Sequence, residues 1–293
     1  MQVAKFALQQ VLVYPNKNIC SREKKMKQQF TAICTAISLI AGICLATASP
    51  VVAQDEKSLF GIDTGSVTYG RYFKAELGMA VPAFDSGNWH PPGPSDPQVF
   101  FDLSNENAAY GSIAMGYDWQ NGYRGDVSLS MFGGVTSQGP WSYTVPAIAG
   151  PHASVSAKTS TIALMATGYY SPLEHKGNNR RVQPYLSVGV GLASNNMGDW
   201  TRVEPIGSTS RAFEGKSSID LAWSVGFGVA FEKKREKGKT PLLLEVGYRY
   251  FDLGTAKGGT TPISSGRAPI EAFNFNNRQH VFSIGLRIPL EKY

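Results

Sequence analysis

The sequence predicts an all-β protein, an eight-stranded antiparallel up-and-down transmembrane β-barrel, and three observations carry that prediction. Eight segments of about ten residues alternate large apolar residues with small or polar ones, the period-two signature of a strand with unlike faces. The connections between these segments alternate between long and short. The first 53 residues contain a signal for export.

The clearest segment is 218–231, SIDLAWSVGFGVAF. Ile219, Leu221, Trp223, Val225, Phe227, Val229 and Phe231 make one face, and Ser218, Asp220, Ala222, Ser224, Gly226, Gly228 and Ala230 make the other. Alternation over about a dozen residues exceeds the usual strand of about 5–6 residues and matches a tilted crossing of a bilayer.

The other seven follow the same rule. In segment 69–81, Phe73, Ala75, Leu77, Met79 and Val81 oppose Tyr72, Lys74, Glu76, Gly78 and Ala80. Segment 109–119 sets Ile113, Met115, Tyr117 and Trp119 against Ser112, Ala114, Gly116 and Asp118. Asn121-Gly122 then suits a two-residue type I′ hairpin, because that dipeptide accepts positive φ. Segment 123–132 places Val127, Leu129 and Met131 outward and Arg124, Asp126, Ser128 and Ser130 inward. Segment 160–170 is less regular, with Ile162 and Leu164 outward and Met165 inward. Segment 183–193 alternates Leu186, Val188, Val190 and Leu192 with Ser187, Gly189, Gly191 and Ala193. Segment 242–251 turns Leu244, Val246, Tyr248 and Tyr250 outward and Glu245, Gly247 and Arg249 inward; segment 280–290 does the same with Phe282, Ile284, Leu286, Ile288 and Leu290 against Ser283, Gly285 and Arg287.

Connections after the first, third, fifth and seventh segments are long and rich in Gly, Pro, Ser and Asn; those after the second, fourth and sixth are shorter. Long loops at one end and short turns at the other, with both chain ends on the turn side, is the layout of an outer-membrane barrel. Structureless loops of this length count against a compact soluble domain. Aromatic residues at strand ends, among them Tyr69, Tyr72, Phe73, Tyr117, Trp119, Tyr123, Tyr169, Tyr170, Tyr248, Tyr250 and Phe251, suggest girdles at the headgroup level.

Parity places Lys74, Glu76, Asp118, Arg124, Asp126, Asp220, Glu245, Arg249 and Arg287 inside the barrel, with both signs present. Eight strands leave little room beyond side chains. Of these, Lys74, Glu76, Arg124, Asp126, Glu245, Arg249 and Arg287 are expected to form an ion-paired network across the half of the lumen nearer the turns, since an unpaired buried charge is costly.

From Met26 the chain has a basic start at Lys27, an apolar run over 32–45, and small residues ending Val51-Val52-Ala53. These are the parts of a secretory signal peptide, with cleavage after Ala53 and Gln54 as the first mature residue. The expected division is a presequence 1–53 whose translation starts at Met26, a polar leader 54–68, and a barrel 69–293. The chain carries 28 basic and 22 acidic residues, but six bases and one acid precede the cleavage site, which leaves 22 against 21. A nearly neutral mature chain gives no electrostatic case for nucleic acid. Cys20, Cys34 and Cys44 all lie in the presequence, so the mature chain has no disulfide and no Cys metal site. Ile43 before Cys44 does not fit a lipid-attachment signal.

The segments VQPYLSVGVGLA (182–193), LEVGYRYFDLG (244–254) and HVFSIGLRIPL (280–290) resemble the late strands of small bacterial outer-membrane β-barrels. The likeness is to the opacity-protein and porin-family surface antigens, which are similar also to the OmpA transmembrane domain. It implies a Gram-negative outer-membrane protein, inserted by the barrel assembly machinery among lipid and lipopolysaccharide, monomeric, and meeting a host or surface ligand through its loops. In such chains the last in-phase residue is commonly aromatic; here Leu290 holds that place, and Glu291, Lys292 and Tyr293 follow. The tethering role of OmpA is not expected, because no peptidoglycan-binding segment follows the eighth strand.

Catalytic chemistry finds little support. His90, His152 and His175 lie in connections, His280 opens the last segment, and no HExxH or Cys ligand set occurs, so no metal or other cofactor is expected. The GVGLAS run lacks the third glycine of a dinucleotide fingerprint and sits in a strand. A lipid-acting enzyme would need a polar partner beside His280 on the outer surface, and Ser283 has the opposite parity. The basic run EKKREKGK (232–239) reads first as a solvated turn and second as a contact for acidic lipid. Residues 98–103, QVFFDL, could extend a strand, fold over the mouth or contact a partner. The reading is thus a structural or interacting surface protein, with adhesion or antigenicity in its loops. The alternative is a small ion or solute pore, and a lipid-acting enzyme comes third.

Overall fold

The computed structural model describes residues 70–149, 153–175, 182–204, 210–232, 242–263 and 266–290. The presequence, its cleavage site at Val51, Ala53 and Gln54, the leader 54–68, residues 233–239 of the basic run, and Glu291, Lys292 and Tyr293 lie outside the described residues. In chain order the strands are β1 (Arg71–Pro82), β2 (Ser86–His90), β3 (Gln98–Asp102), β4 (Ser104–Asn105), β5 (Ala108–Asp118), β6 (Tyr123–Gly139), β7 (Trp141–Val145), β8 (Ser154–Tyr170), β9 (Val182–Met197), β10 (Trp200–Val203), β11 (Ser210–Phe213), β12 (Lys216–Glu232), β13 (Leu243–Lys257) and β14 (Glu271–Pro289).

Eight of them close a ring in the order β1-β5-β6-β8-β9-β12-β13-β14, with β14 returning to β1 through pairs such as Lys74 with Arg287 and Met79 with Phe282. Every junction is antiparallel between strands that follow one another around the ring, so the barrel is up-and-down and has no free edge in this part. This is the fold of the small outer-membrane β-barrels.

Parity is kept in the lower part of the ring. Leu77, Val188, Leu221, Val225, Phe227 and Ile284 are exposed on the outside, while Lys74, Ser128, Ser224, Glu245 and Ser283 are buried within. The outward apolar run on β9 extends from Val182 to Leu192. At the rise and tilt of barrel strands it spans about 25 Å, the height of an outer-membrane apolar band.

The ring strands continue well past that band. β6 runs on to Gly139 and β8 begins at Ser154, beyond the expected segments 123–132 and 160–170. Above the band the two faces exchange character. Ser154, Ser156, Lys158 and Ser160 on β8, Asn196 on β9, Thr255 and Lys257 on β13, and Asn276 and Arg278 on β14 face outward, whereas Val155, Ala157, Met197, Ala256 and Phe275 are buried inside. The expected segments stopped where the outer face ceased to be apolar, but the hydrogen-bond ladder needs no apolar exterior and keeps going.

The long connections are not structureless. β2 takes over from β1 as the neighbour of β14 at Asn88 and Asn274, and β3 and β7 extend the sheet from it. β10 pairs with both β8 and β11. Residues 98–103 therefore extend the sheet over the barrel mouth, with Val99, Phe101 and Leu103 buried in the loop-end core and Phe100 stacked on Tyr143.

Two local expectations are corrected. The β5–β6 turn has positive φ at Gln120 and Gly122, not at Asn121 and Gly122. Asp118 Oδ1 accepts the Gln120 N–H at 2.9 Å, and Trp119 N–H reaches Tyr123 O at 3.1 Å, which makes a three-residue loop in place of the two-residue type I′ turn. The girdle is also smaller than expected. Tyr117, Trp119 and Tyr123 are exposed at the turn end, but Tyr72, Tyr169 and Phe251 are buried in the lumen; Tyr69 lies outside the described residues.

Candidate functional site

The lumen is filled in layers, and the first layer, in the turn half of the ring, is charged. Lys74, Arg124, Arg249 and Arg287 face Glu76, Asp118, Asp126 and Glu245, and all eight side chains are buried. Lys74 Nζ lies 3.3 Å from Asp126 Oδ2 and 3.6 Å from Glu76 Oε1. Arg249 pairs with the other oxygen of Glu76. Arg124 grips Glu245 with both terminal nitrogens, the Nη2–Oε2 bond measuring 3.3 Å. Arg287 reaches Asp118 Oδ2 at 2.8 Å through Nη1, and its Nε stands 2.9 Å from Glu245 Oε1 without the alignment of a hydrogen bond. Lys74, Glu76, Asp126 and Arg249 thus form one ion-paired group, and Arg124, Glu245, Arg287 and Asp118 form a second.

Four cations against four carboxylates leave no net charge in this layer. Balance matters because removing one partner of a buried pair leaves the other uncompensated. Aromatic rings complete the enclosure. The Arg124 guanidinium lies over both Tyr169 and Tyr185, 4.3 and 4.7 Å from the ring centres, and Arg287 stands over Tyr72. The hydroxyl of Tyr169 accepts from Lys74 Nζ at 2.6 Å, that of Tyr110 accepts from Arg249 at 3.1 Å, and that of Tyr72 donates to Asp126 at 3.2 Å. Segment parity already signalled these rings: Tyr72 is in phase with Lys74, Tyr169 with Met165, and Tyr110 with Ser112.

Above the charges lies an apolar layer of Tyr110, Phe132, Met165, Phe251, Leu253 and Val281. A polar layer follows, in which Thr161, Asn195, Asn277 and Gln279 bond one another at 2.7–2.9 Å and Asn195 also donates to Leu253 O. The loop end is closed by a fourth, aromatic layer. Trp200 stacks on Phe213 with ring centres 4.2 Å apart, meets Trp89 and Phe273 edge-on or tilted, and donates its indole N–H to Gly259 O at 3.0 Å. Phe101 and Phe275 pack on Phe273, and Phe84 stacks on Phe275.

On the outer surface His280 Nδ1 is 2.8 Å from the Tyr248 hydroxyl, inside a cluster with Tyr250. Ser283 is buried in the lumen on the other side of the wall. At the turn end, a partly buried Glu174 has its carboxyl pushed above its usual range, first by burial and then by the neighbouring charge of Asp118. Among the described residues no group of three or more His, Cys, Asp or Glu could hold a metal ion.

No protein-family profile matches this chain, and no curated protein matches its sequence. Solved structures of similar fold exist. Neisserial surface protein A is 15% identical, with 75% of this chain and 97% of that one covered and a TM-score of 0.36. The outer-membrane protein OprG of Pseudomonas aeruginosa is 13% identical over 74% of this chain and 95% of its own, with a TM-score of 0.39. Ail, the attachment invasion locus protein of Yersinia pestis, is 13% identical over 74% and 99%, with a TM-score of 0.29. At such values the likeness is one of fold.

Proposed function

We propose that the chain is a monomeric outer-membrane surface protein, a filled barrel whose loop end is its working face in adhesion or another surface interaction. The observation that carries this reading is the exchange of faces along the ring strands. An apolar exterior around a charge-balanced lumen suits lipid, and a polar exterior around an aromatic core suits water. The barrel thereby lifts a folded, water-facing platform above the bilayer. The layered lumen favours a scaffold over a pore. A catalytic role is not proposed, because the serine nearest His280 in the chain opens to the opposite side of the wall and the partner of His280 is a phenol. Export by the predicted signal and insertion by the assembly machinery belong to the same reading.

Orientation supplies the test. With the presequence removed the chain has no cysteine, so single cysteines are unique labels. Ser95→Cys, exposed in the first loop, should react with an impermeant maleimide on intact cells. Asn121→Cys, exposed in the β5–β6 turn, should react only after the envelope is opened. The opposite pattern would reverse the assignment of the working face.

A further inference from the structure

Beside the aromatic core the loop end holds an open cavity of about 240 Å3, lined in part by Trp89, Arg202, Glu204 and Arg211. Arg202 and Arg211 occupy directly opposed positions on β10 and β11. Like charges so placed destabilise a strand pair. Arg202 gives Nη1–H to Glu204 at 2.9 Å and covers the Trp89 ring at 4.8 Å, yet its Nε has no acceptor, nor does the buried indole Nε1 of Trp89. Burial outweighs the nearby Glu204 carboxylate and, with the repulsion from Arg211, holds the Arg202 guanidinium below its ordinary value. Asp96, also at the cavity, is engaged by its own turn, where it accepts Gly93 N–H at 2.9 Å.

Arg202 is ion-paired with Glu204 at 2.9 Å, and Arg211 brings a second guanidinium to the same recess. An oxyanion between them would screen the two arginines from each other, since guanidinium matches carboxylate and sulfate geometry. The remaining wall, three prolines with Val99, Ile148 and Ala153, is apolar and suits the C–H face of a ring. Its volume is below the roughly 300–1,000 Å3 of a site for a drug-sized ligand, which points to a single end group. We propose that this cavity binds one acidic sugar unit, its carboxylate or sulfate held by Arg202 and Arg211. The proposal rests on the loop end being the working face, and names the chemistry that face recognises.

The test is calorimetric titration of the full mature barrel, refolded in detergent, with glucuronate, glucose 6-sulfate, neutral glucose, N-acetylaspartate and inorganic sulfate. Glucuronate and glucose 6-sulfate should bind and glucose should not. Arg202→Ala and Arg211→Ala should each weaken binding about tenfold, the scale of one charge-assisted contact, with Arg211→Lys intermediate. Arg211 is only half-buried, so its variant reports on the site even where Arg202→Ala fails to fold. Equal binding of glucose, wild-type affinity in Arg211→Ala, or no binding of either acidic sugar would overturn the proposal. Preference for N-acetylaspartate would replace the sugar by a peptide acid, and equally strong inorganic sulfate would reduce the site to a nonspecific anion contact; either overturns it. Maleimide labelling is independent of these outcomes. A silent titration with Ser95→Cys labelled on intact cells removes the cavity alone, whereas labelling from the opposite side removes the surface reading.

Discussion

Glu245 shows how one residue ties the lumen together. It is buried, gripped by both terminal nitrogens of Arg124 and approached by Arg287. Glu245→Ala leaves those guanidinium groups short of a counter-charge, and the expected loss is roughly 3–5 kcal/mol in urea unfolding from lipid vesicles. The paired change Arg124→Met with Glu245→Leu removes charge from both sides, leaves Arg287 with Asp118, and should lose less than Glu245→Ala alone. Glu174 gives the pH counterpart. Its carboxyl titrates above its unfolded value because of burial and then Asp118, so any penalty is absent below the ordinary carboxyl range and grows as pH rises through the folded value. Glu174→Gln should therefore raise the urea midpoint at neutral pH and leave it unchanged near about pH 3. Individual charges were legible from the sequence because parity alone puts them inside. Their partners were not, since Lys74 with Asp126, or Arg249 with Glu76, meet across the ring between residues far apart in the chain.

At the scale of the strand, a single element serves two solvents. β8 is outwardly polar from Ser154 to Ser160 and outwardly apolar from Ile162, while its inner face changes in the opposite sense from Val155 and Ala157 to Thr167. Because alternation is preserved through the change, no turn or break marks the boundary, and sequence reasoning that tracks one apolar face loses the strand there. That is why the sequence pattern marks the membrane segments and not the ordered strands of the loop end. Within the band the outer face should refuse charge. Val225 is half-exposed in the outward run of β12, so Val225→Arg should cost about 2–4 kcal/mol. Ser224→Ala, on the inner face, should fold as the wild type does, both judged by urea titration in vesicles. Above the band the aromatic core should behave like that of a soluble domain. Trp200 is fully buried and links β11 to the segment after β13. Trp200→Ala should cost about 3–5 kcal/mol locally. Limited proteolysis should then cut the loop end while the membrane ring stays protected.

For the whole molecule, the account is of a barrel closed by its own side chains and lifted above the membrane by its own strands. Ring closure, strand number and strand polarity were readable, because lipid outside and packed polar residues inside impose a regular pattern on every segment. The aromatic layer was not readable, since Trp89 and Phe101 come from one connection, Trp200 and Phe213 from another and Phe273 from the start of β14, with no shared period. Sealing depends on both parts. A charged layer alone could be wet and conducting, but here an apolar layer, a bonded Asn and Thr layer and an aromatic layer lie between it and the loop end. Planar-bilayer recording of the purified, refolded wild type tests this most directly. The account predicts no steady open level, only baseline current with rare transient events; a stable, ohmic conductance carried by single wild-type barrels would contradict it and establish a pore.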